Sequence, residues 1–155
     1  MRLGLALLMV LLAAHMVAPG TRAEQSPPRT FVAVLTAAEE VPLCAPASNA
    51  SRGLAVFHVI DQAAGTVRYR LVANNLPGDS TAAHIHVGGR GVAGPVVQAL
   101  PFPPGAENGV IGEGTFTNAA LLAALQATPQ NYYVNVHSTV CPSGVIRGQL
   151  GEQGP

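Results

Sequence analysis

Two histidines separated by one residue, in Ala82-Ala83-His84-Ile85-His86-Val87, are the first feature of this sequence that could do chemistry. Side chains alternate faces along a strand, so extended backbone projects both imidazoles the same way, about 7 Å apart at the backbone. Ala83, Ile85 and Val87 then point into a core. Two imidazoles on one face at that spacing can grip a single ion between them. His137 closes a second strand of the same design, Tyr133-Val134-Asn135-Val136-His137, where Val134 and Val136 face inward and Tyr133, Asn135 and His137 face the other side. His58 lies in Leu54-Ala55-Val56-Phe57-His58-Val59-Ile60, apolar on both faces, so the pattern leaves its direction open. The candidate metal ligands are therefore His84, His86 and His137, with His58 as a fourth. Imidazole suits copper, zinc, nickel and iron, and a nitrogen-rich set in near-planar geometry points to copper(II). Three imidazoles and a water would equally describe zinc. The alternative for each histidine is a structural side chain, satisfied in the core or at the surface.

Other chemistries have less behind them. Ser138 follows His137 directly, so the two side chains point to opposite faces and make no nucleophile pair. Gly88-Gly89-Arg90-Gly91-Val92-Ala93-Gly94 is glycine-rich but opens no helix, which excludes a phosphate loop and leaves a flexible turn beside the histidine pair. Asp61, Asp79, Glu107 and Glu113 are scattered near turns without paired-carboxylate logic.

The elements that must position these side chains are short strands. Runs at Thr30–Ala37, Gly53–Asp61, Thr66–Ala73, Ala82–Val87, Pro95–Ala99, Gly109–Thr117, Tyr132–His137 and Gly144–Leu150 are punctuated by clusters of Gly, Pro, Asn and Asp. That spacing predicts an all-β sandwich or barrel. One segment differs: Asn118 to Gln126, rich in Ala and Leu behind an Asn in the N-cap position, predicts a single short helix crossing between strands.

The first residues set the compartment. Met1 and Arg2 precede an apolar run from Leu3 to Val17, broken by His15 and ended by Pro19-Gly20, and Thr21-Arg22-Ala23 carries small residues where a signal peptidase reads. A membrane anchor is the alternative, but roughly fifteen residues fall short of the ~20 a span needs. The expected organisation is a signal peptide over 1–23, a flexible N-terminus over 24–29, one domain over 30–150 and a C-terminal tail over 151–155, with the mature chain secreted or periplasmic. Of eight Arg and eight acidic residues, Arg2 and Arg22 leave with the signal, giving 6 − 8 = −2, and Lys is absent. No basic cluster is left for nucleic acid, whose phosphates need clustered cations. Two cysteines in an exported chain favour a Cys44–Cys141 disulfide, against two free thiols or a thiolate metal site.

Five blocks resemble a known family. Phe31-Val32-Ala33-Val34-Leu35-Thr36-Ala37-Ala38-Glu39-Glu40-Val41-Pro42, Ala82-Ala83-His84-Ile85-His86-Val87-Gly88, Gly94-Pro95-Val96-Val97, Tyr132-Tyr133-Val134-Asn135-Val136-His137-Ser138 and Gly144-Val145-Ile146-Arg147-Gly148-Gln149-Leu150 are similar, in order, to a chordin-type (CHRD) domain. The resemblance implies an extracellular or periplasmic Greek-key β-sandwich of the superoxide-dismutase-like or immunoglobulin-like kind. The histidine pair, the later Val-Asn-Val-His and the Gly-x-x-Arg-Gly also resemble the copper side of Cu/Zn superoxide dismutases. No second cluster of His with Asp matches the zinc site of those enzymes, and their long electrostatic loop has no counterpart, so a copper-only variant fits better.

That likeness implies copper, or zinc as the alternative, and a small anion such as superoxide as substrate. Arg147 is the catalytic candidate. It should share the solvent-facing side of its strand with Val145 and Gln149, where a guanidinium would attract the anion. A surface cation paired with a carboxylate such as Glu113 is the alternative. Asn135 and Tyr133 would orient ligands, or serve as ordinary cross-strand pairs. A non-catalytic extracellular binding or metal-storage module stands beside the enzyme reading. No protein partner can be read from the residues.

Overall fold

Alternation is the reason the strands form where they do. In Thr30–Thr36 the side chains of Phe31, Ala33 and Leu35 are wholly buried while Val34 remains 66% exposed. The computed structural model describes residues 26–153, so the signal-peptide expectation lies outside the described residues. The strands are β1 (Thr30–Thr36), β2 (Arg52–Asp61), β3 (Thr66–Asn74), β4 (Ser80–Val87), β5 (Val96–Ala99), β6 (Gly109–Thr117), β7 (Tyr132–Ser138), β8 (Ile146–Gln149) and β9 (Gly151–Gln153). One helix, α1 (Ala119–Ala127), connects β6 to β7. Its cap is the expected Asn118, whose side chain accepts from the Leu121 amide at 3.0 Å. Leu121, Leu122 and Leu125 are the residues that α1 buries.

The strands hydrogen-bond in the order β5-β4-β7-β8-β1-β2-β3-β6, with β9 also on β1. All pairs are antiparallel. The fold is all-β with one short helix, as expected. β8 and β1 share a single register pair, Thr36↔Arg147. At that seam the sheet curls, so that β5-β4-β7-β8 and β1-β2-β3-β6 close on one core. Phe31, Leu35, Phe57 and Leu71 from one half meet Ile85, Val134, Val136 and Ile146 from the other. Past residue 150 the chain adds β9, with Thr30↔Gln153, Phe31↔Glu152 and Val32↔Gly151. Arg29, before β1, is tied to β2 by backbone and side-chain bonds to Val59.

Cys44 and Cys141 are joined, fastening the segment after β1 to the turn between β7 and β8 across a sequence separation of 97. Closing a loop of that size is worth about 4–5 kcal/mol in the chain-entropy model. A Cys44→Ser/Cys141→Ser protein should lose stability by that order, read as a lower urea midpoint. An unchanged midpoint would show that the unfolded chain is already restricted without the bridge.

Candidate metal centre

The pairing of β4 with β7 decides which histidines meet. Ala82 lies opposite His137, His84 opposite Asn135 and His86 opposite Tyr133, all on the side of the sheet away from the core. One ring nitrogen from each of His84, His86 and His137 lies within 4.8 Å of the others. His84 and His137 touch, with Nδ1 3.0 Å from Nε2. His58 is elsewhere. It projects from β2 on the far half of the sheet, exposed, with Nδ1 3.1 Å from the Thr30 hydroxyl, and it does not join the group.

Backbone carbonyls orient two of the rings. His86 Nδ1 lies 2.8 Å from Gly94 O, and His137 Nδ1 lies 3.0 Å from Pro142 O. A carbonyl only accepts, so both Nδ1 atoms carry protons and both Nε2 atoms keep their lone pairs. This is the arrangement in which an outer partner selects the tautomer and aims the ligand. Burial pushes all three imidazoles below their ordinary pKa, which favours the neutral, ligating form. The neighbouring histidines add to this at His84 and His137, and Arg147 adds to it at His86, while the two carbonyls oppose it. His86 Nε2 is buried without a hydrogen-bond partner. An orphaned lone pair in that position is costly unless something occupies it. The residues therefore fit a bound cation.

Tyr133 and Asn135 line the same face. The Tyr133 ring stacks on His86 with centroids 4.7 Å apart and planes 10° from parallel, and its hydroxyl bonds both the amide and the carbonyl of Gly94. Asn135 Nδ2 donates to both carboxylate oxygens of Glu40, at 2.7 and 2.8 Å.

Arg147 departs from its expected position. It is 1% exposed, with its guanidinium carbon 3.4 Å from the Tyr133 ring centre and Nη2 donating to Gly89 O at 2.9 Å. Val145 is fully buried as well, and Glu113 stands across from Arg70 on the other half. The reason is the segment Gly88–Gly94, expected as a flexible turn. It lies over β7 and β8, with Gly88 O and Gly89 O accepting from Gln149 and Arg147. Gly94 must be glycine here, because a Cβ would fall 1.7 Å from Val87 O.

The residues that sequence reasoning passed over are Glu40, Gly94 and Pro142. The two backbone carbonyls carry no side-chain signal. Glu40 did leave a trace, as an acidic residue beside apolar Val41-Pro42 in a chain with 10% charged residues. Burial raises its carboxyl from 4.5 to about 7, with the Arg147 charge and the Val41 and Asn135 bonds pulling the other way.

These features define an all-β sandwich, stapled by a disulfide and carrying three clustered histidines that could hold a metal ion. A family model, the CHRD domain, matches residues 31–150. The chain belongs to the CHRD domain family. No curated protein and no solved structure matches it.

A carboxyl whose folded pKa is raised contributes stability below its unfolded value and loses it as pH rises through the folded one. Glu40 should thus cost the native state on the order of 3 kcal/mol between pH 4.5 and 8. The histidines act in the opposite sense, losing stability as pH falls below their ordinary value, but they are common to wild type and Glu40→Gln. Urea titrations across that range should show Glu40→Gln gaining on wild type as pH rises. Parallel curves would mean that Glu40 ionises at its ordinary pH in the native state.

Proposed function

We propose that this CHRD domain protein is exported and holds a single copper ion through His84, His86 and His137, with zinc as the alternative. The observation that carries the reading is the buried, unpartnered Nε2 of His86 beside the His84–His137 contact. An all-imidazole set favours copper(II) over the harder, oxygen-preferring cations. The Cys44–Cys141 bridge and the apolar leader support export, since disulfides persist in oxidising compartments. In this reading Gly94 and Pro142 fix the ring tautomers, Tyr133 packs His86 in place, and Glu40 steadies Asn135 next to His84.

Between holding and turnover, the placement of Arg147 favours holding. A guanidinium engaged with Tyr133 and Gly89 is not presented to a small anion. The copper-only superoxide dismutase is a second reading, favoured by two observations: among the described residues three protein ligands converge, and His84 and His137 are partly exposed. Copper bound there would supply one-electron exchange with superoxide.

Elemental analysis after copper or zinc loading should find close to one copper per chain, lost in His84→Ala/His86→Ala. Metal no higher than in that variant would sink the proposal. Affinity should fall on acidification as protons compete for the imidazoles, at a lower pH than for free imidazole because burial depresses all three pKa values. A dismutation assay on the loaded protein then separates the two readings, and rates no higher than free copper would leave a metal-holding module.

A further inference from the structure

The outer face of β1-β2-β3-β6 carries a feature unrelated to the three clustered histidines. Val34 pairs with Leu54, Leu54 with Val72 and Val72 with Val110, a row of four aliphatic side chains across four adjacent strands. Val34 is 66%, Leu54 38% and Val110 44% exposed. The next row adds Val32 opposite Val56. Scattered exposed aliphatics are ordinary, but a contiguous patch rimmed by charge marks an interaction surface.

The charges around this patch are biased. Arg52 sits one row beyond Leu54, and Arg70 and Arg68 lie opposite Val56 and His58. All three arginines are exposed; the carboxylates beside the patch are Glu113, across from Arg70, and Glu39, which borders Val32 and Val34 and is already paired with Arg90. A chain whose mature portion is net acidic thus concentrates half of its remaining arginines on this face. Arg68, Arg70 and Glu113 also border a shallow depression of about 530 Å³. Self-association through this face would set arginines against arginines with too few carboxylates to offset them, so the pattern argues against a second copy. The occupant it fits is anionic. An acidic polysaccharide would satisfy the arginines and leave the aliphatic rows in water. A layer of anionic lipid satisfies both, with phosphates at the arginines and acyl-chain surface against the valines.

We propose that this face docks peripherally on an anionic lipid surface, independently of any metal. The mature protein should sediment with vesicles of phosphatidylcholine and phosphatidylglycerol, and not with phosphatidylcholine alone. Added salt should weaken the binding. Arg68→Glu/Arg70→Glu should reduce binding at least tenfold, since each arginine near such a surface is worth roughly a factor of five. Val34→Asn/Leu54→Asn should also reduce it severalfold, with an unchanged circular-dichroism spectrum showing that the fold is kept at the assay temperature. The proposal is overturned by absence of sedimentation, or by sedimentation that either variant leaves intact. Binding to a sulfated polysaccharide with no sedimentation on the anionic vesicles would overturn it in favour of an acidic polysaccharide. A dimer that dissociates in the same variant would overturn it in favour of self-association.

Discussion

The Tyr133 ring, held between the His86 imidazole on one strand and the Arg147 guanidinium on another, is the contact around which the site is arranged. Aromatic stacking and cation–π attraction are each modest, about 0.5–2 kcal/mol. Their consequence here is positional. The ring's hydroxyl reaches Gly94 and fixes one end of the glycine-rich segment, while Gln149 and Arg147 bind its other end. With that segment in place, the outer side of β7 at Tyr133 and Asn135 is no longer a solvent face, and polar groups there must find partners inside the protein.

That requirement explains the polar layer beside the histidines. Asn135 is buried and reaches Glu40, which is buried in turn and lies close to the Arg147 charge. Gly144, with φ of +139°, lets the chain pass there. A Cβ at that position would meet Asn135 Nδ2 and Glu40 Oε2, each at 2.5 Å. Not every group in the layer is satisfied: His86 Nε2, Asn135 Oδ1, Arg147 Nε and Gln149 Oε1 all lack a partner among the described residues. Such a concentration of unmet polar atoms in one layer is the pattern expected at a functional site rather than in a stability-optimised core.

The disulfide links this layer to the other half of the fold. Cys141 immediately precedes Pro142, whose carbonyl holds His137, and Cys44 closes the segment that begins at Glu40. The Cys141 amide and carbonyl are also bound to Ser138, which follows His137. One covalent constraint therefore bears on the orientation of His137 and on the carboxylate that steadies Asn135.

Strands β1 to β8, the Asn118-capped helix, the pairing of two cysteines and the shared face of His84 and His86 were legible from residue types and spacing, whereas β9 was not. Each depends on local rules: period-two alternation, cap chemistry and the redox preference of an exported chain. Strand neighbours were not legible, because pairing joins residues distant in sequence. Only the β4–β7 register could bring His137 to the pair and place His58 on the far half of the sheet. Alternation along β8 correctly separated Arg147 from Ile146, yet could not tell whether the second face met water. A face becomes interior when another segment lies over it, and the cover from Gly88–Gly94 is decided by tertiary contacts alone.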